Sequence, residues 1–495
     1  MFDRVPDMAA KRAELSGDAV AFVDHVTGRR WSFAQVNDAA ARMGAGLLAL
    51  GLAPGDRVAV LALTRVEMFV ALFAAQKSGL VLVPLNWRLT GAELAEQARG
   101  VAPSALLADP ENHAVAQSLA AAISAPLIPL CPDGPGQPDL MATPDPLPPA
   151  PVHADRTWYL LFTSGTTGRP RAVIQTARMA WANAVNLAQA IDLTRADSTV
   201  AYLPMFHTAG VNLHALPTFL FGGRVTVLRR FEPDSLLDLI AAGAITRFFG
   251  VPAIYRELSL LPRAAKLDWS ALRCGCGGAA LPEPLIRQFA DWGTAICNGF
   301  GMTETGPTTF LMDPASALRK IGSVGKVQVM TEVRLAGVPD GVAGSGEILL
   351  RGPAVSPGYF GEAPGAALDP EGFLPTGDVA RRDAEGYYYV VDRLKDMFVS
   401  GGENVWPAEI ERVLHEHPAI LEAAVIGRPD PRWGEVGAAF LVPRPGHCIE
   451  AESLSHWCRA RMAGYKVPKS FQLVQDFPRT AAGKIRKPAL RDWLE

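Results

Sequence analysis

Apolar positions in the first 130 residues alternate between helical and strand-like spacing. Ser32 with Gln35 forms a helix-start signature, and Val36, Ala40, Met43 and Leu47 then recur along one helical face until Gly51 ends the run. Residues 57–63 read as a strand, 66–78 as a helix and 80–84 as a strand again. This rhythm predicts a mainly parallel sheet covered by helices. Eight prolines between 131 and 156 mark a surface connection. A second α/β stretch runs from about 157 to 300. From 322 to 389 the pattern turns to short, glycine-punctuated strands, which predict a small β-rich subdomain. The last hundred residues restart with helix or strand at 407–417, 423–427, 437–442 and 454–461, as a separate small α+β unit would. There is no internal repeat.

The chain has 495 residues, of which 49% are hydrophobic and 20% charged, enough apolar material for a large core and too much for global disorder. A net charge of −3 supplies no electrostatic footprint for nucleic acid, so anions must be held locally. Six cysteines are few for this length, and Cys274, Cys276 and Cys297 lie in or near apolar segments without a common zinc spacing. They read as reduced, buried thiols of an intracellular protein. The amino terminus lacks an apolar signal core. The longest apolar stretch, 68–87, is broken by Gln76, Lys77 and Gly79, so no membrane span is expected. Together these features predict a cytoplasmic enzyme.

The most specific local feature is 160–173, LLFTSGTTGRPRAV. An apolar strand runs straight into Thr163, Ser164, Gly165, Thr166, Thr167 and Gly168, followed by Arg169 and Arg171. Glycines let backbone N–H groups approach an anion and the hydroxyls donate further, so such a loop can wrap a polyphosphate. It is not a Walker loop, because no Gly-Lys-Ser/Thr closes it.

Further motifs follow in order: LPMFH at 203–207, GGAALP at 277–282, NGFGMTE at 298–304, PTGD at 375–378, YVVDR at 389–393, LKD at 394–396, SGGENVWP at 400–407 and PRTAAGK at 478–484. With the loop at 163–171, they make the chain resemble an adenylate-forming enzyme of the acyl-CoA synthetase type (the AMP-binding ANL superfamily), similar to aryl-acid and medium-chain fatty acid CoA ligases. The likeness covers nearly the whole length. It implies an α/β fold with two βαβ-type subdomains and a β-rich subdomain in a large domain, 1–392, and a mobile α+β domain, 393–495, hinged near Lys395.

The resemblance also implies roles. Residues 163–168 and Arg171 would hold the ATP phosphates, although relatives usually carry Lys-Gly where this chain has Arg171-Ala172. Gly278, Ala279 and Ala280 would wall the adenine, joined by Asn298, Gly299, Phe300, Gly301 and Met302, with Phe300 replacing the commoner tyrosine. Thr303 would bond the α-phosphate, and Glu304 with Thr163 would hold Mg2+. Asp378, with Val390 and Arg393 nearby, would take the ribose, since one carboxylate can accept from both hydroxyls of a vicinal diol. Ser400, Gly401, Gly402 and Glu403 would pass the pantetheine arm of coenzyme A. His207 would border the acyl pocket and Lys484 would be the catalytic lysine, open to acetylation by an acetyltransferase and to reversal by a deacetylase.

The reaction so implied joins a small-molecule carboxylic acid to CoA through an acyl-adenylate. Val211, Leu213 and Leu216 stand where amino-acid-activating relatives place a carboxylate, so a substrate without an amino group is favoured. Expected pocket walls are His207, Val211, Phe249, Val251, Gly277, Gly299 and Met302. They favour a benzoate- or cinnamate-like acid or a medium-chain fatty acid over malonate. Carrier-protein pantetheine as the acceptor and a non-catalytic nucleotide-binding protein are the competing readings. A homodimer is compatible with the sequence, which does not require one.

Overall fold

The computed structural model describes residues 3–132, 137–164, 170–447, 449–480 and 483–494, without the side chains of Ser164 and Glu452. The helix Phe33–Ala49 starts where the sequence places it, with the Ser32 hydroxyl accepting from Gln35 N and the Gln35 side chain from Ser32 N. It packs on Val66–Ser78, whose residues are buried on nearly every side. That all-round burial arises because the second helix lies between two sheets. Its Met68, Phe69, Leu72 and Phe73 share one core with Val58 and Leu82 of the first sheet and Phe22 and Val225 of the second.

The first sheet has six strands in the order Pro170–Thr176, Thr157–Ser164, Val81–Pro84, Arg57–Leu61, Ala105–Ala108, Leu127–Pro129. It is parallel except for the outermost pair, an antiparallel ladder that sets Thr163 opposite Arg171. The second sheet has nine strands. Its parallel centre runs Ile296–Phe300, Arg273–Cys276, Arg247–Gly250, Ser198–Ala201, Arg224–Val227, Val20–Asp24. The predicted β-rich subdomain is an antiparallel sheet of Glu332–Leu335, Gly344–Arg351, Leu374–Arg382 and Tyr388–Arg393.

The carboxy-terminal unit is built on a long antiparallel pair, Ile420–Asp430 with Gly434–Pro443, against which Ser470–Leu473 runs parallel. The strand over 423–427 is therefore much longer than its apolar run suggested, because Glu422 and the polar end 428–430 also pair. Among the described residues, the two apolar clusters of this unit draw only on its own side chains, from Phe398 to Leu494.

The proline-rich stretch differs from a plain surface connection. Leu140 is buried, and Arg42 of the first long helix donates to the carbonyls of Thr143 and Pro144. The sequence does not reveal this strap because its anchors are single residues without period. No helix among the described residues is long and apolar enough to cross a membrane.

Candidate active site

Three parallel strands, Arg247–Gly250, Arg273–Cys276 and Ile296–Phe300, end side by side. The crevice beyond the carboxyl ends of such strands is where open α/β sheets bind ligands. Gly278 turns the chain at the second of these ends with φ +85°, a conformation that side chains other than glycine rarely adopt. Beyond the third, Gly301 lies so close to the Pro307 carbonyl that a β-carbon would sit 1.6 Å from its oxygen. That close approach folds 302–305 back into the crevice. Thr303 and Glu304 are buried there, and the Thr303 carbonyl accepts from the buried Gln175 Nε2 at 2.9 Å.

The Tyr359 hydroxyl donates to Glu304 Oε1 at 3.0 Å. Arg171 Nη2 in turn donates to the Tyr359 oxygen at 3.0 Å, with the guanidinium 3.8 Å from the ring centre. A planar guanidinium can stack and donate together, which a lysine ammonium cannot do as well. The arginine that departs from the usual lysine is thereby tied to the carboxylate of 298–304. Ala172, the other departure, is buried in the apolar layer with Leu160. Val173 bridges to Tyr359, which fixes the tyrosine beside the phosphate-loop strand. Tyr359 escaped the sequence reading because it sits in an irregular segment, SPGYF, with no period or motif.

Asp378 is buried at the end of the β-rich subdomain's sheet. Its Oδ1 accepts from Arg393 Nε at 3.0 Å, while Oδ2 has no partner among the described residues. Asn298 Oδ1 is likewise buried without a partner among the described residues. Burial pushes the Asp378 carboxyl above the usual carboxylate range, opposed by Arg393 and Lys484. Unpaired buried acceptors are costly, so this pair of oxygens calls for donors from a ligand. The hydroxyls of a ribose and an exocyclic amine are donors of that kind. Phe300 is half-buried and edge-on to Phe310, with ring centres 5.9 Å apart. Val390 packs in the same apolar cluster.

Lys484 enters this crevice from the carboxy-terminal unit. Its Cε lies 3.4 Å from the point where a β-carbon on Gly278 would stand. Burial and the charge of Arg393 lower its pKa, while Asp378 and Glu304 raise it. The turn presenting it is closed by Gly483 N donating to the Thr480 carbonyl at 2.8 Å and Lys484 N to the Thr480 hydroxyl at 3.1 Å. His207 faces the same ammonium. Burial first, then Lys484, lowers its pKa to about 4, so it is neutral at pH 7. Its Nδ1 accepts from Ala209 N at 3.2 Å, which leaves the proton on Nε2.

The carboxy-terminal unit is held here by an ion pair and a helix-start hydrogen bond. Arg256 Nη1 meets Glu422 Oε2 at 2.5 Å, and within the unit Arg479 Nη2 meets the same oxygen at 2.6 Å. Asp392 Oδ2 accepts from Ala408 N at the start of the helix Pro407–His415. Sequence reading missed Arg256 and Glu422, since single charges on separate helix and strand faces carry no pattern.

The remaining expected site residues stand as follows. Lys395 is exposed in the turn after Arg393. Gly401, Gly402 and Glu403 are exposed and Ser400 is buried, in the hairpin Phe398–Ser400 with Glu403–Val405; Gly401 N donates to the Trp433 carbonyl within the same unit. Ala279 and Ala280 are exposed beside Gly278, and Met302 is half-buried. Gly165, Thr166, Thr167 and Gly168 lie outside the described residues, as does the Ser164 side chain. Thr163 is half-buried at the mouth of that loop. Val211, an expected pocket wall, is buried in the main core. Among the described residues no group of three or more His, Cys, Asp or Glu side chains converges as a metal site. Glu304 alone fits a cation that brings phosphate oxygens as its other ligands.

A cradle on parallel strand ends, crossed by a lysine from a separately cored unit, defines a nucleotide-using enzyme of two parts. The chain belongs to the AMP-binding enzyme family, whose model matches residues 9–360, while the family's C-terminal domain matches 409–484. Among curated relatives, it is 41% identical to a feruloyl-CoA synthase of Amycolatopsis over 97% of both chains. It is 36% identical to an indoleacetate–CoA ligase of Aromatoleum aromaticum, over 94% of this chain and 93% of that one. Among solved structures, o-succinylbenzoate CoA synthetase of Bacillus subtilis, in complex with its acyl-adenylate intermediate, superposes with a TM-score of 0.87 at 30% identity over 99% of both chains.

Proposed function

We propose that this chain is an ATP-dependent acid–CoA ligase acting on an aromatic carboxylic acid. The acid and ATP give acyl-AMP and pyrophosphate; CoA then gives acyl-CoA and AMP. The observation that carries this reading is the seat of Lys484, in the crevice with Glu304, Asp378, Arg393 and His207.

A carboxylate is a poor electrophile, so the chemistry needs two steps. In the first, a substrate carboxylate oxygen attacks the α-phosphorus and the bond to pyrophosphate breaks. Lys484 bridges carboxylate and phosphate oxygens, and Thr163, Arg171 and Thr303 donate to the phosphates. Charge is thus stabilised by groups already in place, the main content of phosphoryl-transfer catalysis. Glu304 would hold Mg2+, which neutralises phosphate charge when bound. Asp378 and Arg393 hold the ribose, and neutral His207 borders the carboxylate. In the second step the CoA thiolate attacks the acyl carbonyl and AMP leaves. Gly401 and Gly402 then pass the pantetheine arm, which requires residues 393–495 to swing about Lys395. Acetylation of Lys484 would silence only the first step, and the half-buried seat of Lys484 over Gly278 favours an acetyltransferase that meets the unit swung out.

The aromatic preference rests on likeness to relatives named for aromatic acids, the feruloyl-CoA synthase and the indoleacetate–CoA ligase. Gly275 and Gly277 let the Phe249 ring lie directly on the strand as one aromatic wall. A medium-chain fatty acid is the second reading, favoured by the apolar lining at Leu203, Leu213 and Phe249. Among the described residues no arginine lines that pocket, which disfavours a dicarboxylate. Raised thiol pKa values at the buried Cys274 and Cys276 suit unreactive thiols in a cytoplasmic protein. The test is pyrophosphate exchange and AMP release across a panel of acids with free CoA. Acid-dependent exchange with benzoates or cinnamates supports the reading. Exchange with alkanoates alone moves it to the second, and none with any acid overturns both.

A further inference from the structure

The irregular segment 356–360 joins the two sheets at the crevice. It lies along the phosphate-loop strand Pro170–Thr176 as a partial further strand: Phe360 N donates to the Ala172 carbonyl at 2.8 Å and Ile174 N to the Gly358 carbonyl at 3.1 Å. At its start the same segment reaches the other sheet. Ser356 N donates to the Glu304 carbonyl at 2.8 Å, and the buried Ser356 hydroxyl donates to the Ile174 carbonyl at 2.8 Å. The segment is therefore a clasp, with one side on the first sheet and the other on the turn that follows Ile296–Phe300 of the second.

Tyr359 stands at the middle of the clasp and is buried. Its hydroxyl oxygen accepts from Arg171 Nη2, and the hydroxyl donates to Glu304 Oε1, each at 3.0 Å. The direction of this chain is fixed, because a guanidinium can only donate and the single phenolic proton then goes to the carboxylate. Hydrogen bonds in series polarise one another where water is excluded. Among the described residues the Glu304 carboxylate accepts from Tyr359 alone, which leaves its second oxygen for a ligand. A ligating carboxylate needs such a partner to hold its rotation.

We infer that Tyr359 is a positioning residue that aims Glu304 at a divalent cation carried by ATP. Arg171 holds the tyrosine from the other side. It stands where relatives usually carry lysine, whose point charge cannot stack on the ring and donate in one fixed plane. The inference rests on the ATP-using reading above and adds to it a residue that lies in none of the sequence motifs.

The experiment measures ATP binding to the full chain by titration calorimetry, once with excess Mg2+ and once with EDTA, in the wild type, Tyr359→Phe, Arg171→Lys and the double variant. The ratio of the two affinities is the advantage that Mg2+ confers. Tyr359→Phe keeps the ring beneath the guanidinium and removes only the hydroxyl. It should lose about 10-fold of that advantage, the low end for removing the partner of a ligating carboxylate. Its affinity for metal-free ATP should stay within a few-fold of wild type, which also certifies folding. Arg171 faces the phosphates as well, so Arg171→Lys weakens both forms of ATP; its additional loss with Mg2+ should vanish in the Tyr359→Phe background. An unchanged Mg2+ advantage in Tyr359→Phe overturns the inference, and so does an equal loss of both forms of ATP, which would make Tyr359 a folding residue. Losses of the advantage that multiply in the double variant overturn the link to Arg171. A wild type that binds ATP under neither condition overturns the nucleotide reading itself, a result distinct from the others.

Discussion

The body and the carboxy-terminal unit each have an apolar interior, but they meet in different chemistry. Within the body, one core runs from Phe22 through Phe69 to Leu82 and binds two sheets to the helix between them. Between body and tail, the described links include the Arg256–Glu422 ion pair, the Asp392 cap, the reach of Lys484 over Gly278 and the close approach of Gly483 to Val251 and Ala253. A continuous apolar core resists sliding, because every displacement exposes apolar area at about 25 cal/mol per Å2. Ionic contacts re-form with water and so can be exchanged at little cost. The contrast is what the proposed two-step reading requires, a nucleotide cradle that stays and a lysine that leaves.

The sharpest way to break this comparison is to remove the visiting charge. Lys484→Ala should lower adenylate formation about 10²–10³-fold, the usual loss of a preorganised charge-stabilising group. Thioester formation from added acyl-adenylate should survive, as single-turnover assays of each half-reaction would reveal. Equal loss in both would unite roles that the comparison separates. Removing the resident carboxylate comes next. Glu304→Gln should cut adenylation by about 10²-fold and raise the Mg2+ concentration needed for half-maximal rate; an unchanged Mg2+ response would free Glu304 of that role.

The pH profile gives a third, smaller effect. Lys484 has a folded-state pKa below the ordinary lysine value, so its ammonium is present below that pKa and lost as pH rises through it. The kcat/KM for adenylation should therefore fall on an alkaline limb lying below the ordinary lysine pKa. Lys484→Arg, charged throughout, should keep whatever activity it has without that limb. A limb of the same position in the arginine variant would assign it elsewhere. Smallest is the latch. Arg256→Ala leaves Arg479 on Glu422 and removes one partly buried ion pair, about 1 kcal/mol or roughly a five-fold shift away from the docked state. Adenylation should slow by about that factor and thioester formation should not. Slowing of both alike would make Arg256 a folding residue.

The two regions were also unequally legible in the sequence. Secondary structure with a period was readable: the helix Phe33–Ala49 announced its start through Ser32 and Gln35, and the βαβ rhythm gave the parallel sheet. Glu304, Asp378 and Lys484 were readable because each sits in an ordered local motif, and the fold brings those motifs into one crevice. Contacts between distant single residues were not. Arg171 reaches Tyr359, and Arg256 reaches Glu422, across spans that leave no spacing to detect. The departure of Arg171 and Ala172 from the family pattern could be seen but not explained until Tyr359 and the layer around Leu160 were in view.

The claim that the tail must dock for one step and leave for the other can be tested by tying it down. A β-carbon on Gly483 would stand 4.0 Å from that of Ala253, within the range a disulfide spans; its φ of +79° strains any side chain there, so the reduced double variant is the reference for activity. The double variant Ala253→Cys/Gly483→Cys should, when oxidised, still form acyl-adenylate and release pyrophosphate, yet make acyl-CoA only after reduction. Acyl-CoA formed by the oxidised enzyme as fast as by the reduced one would contradict the account.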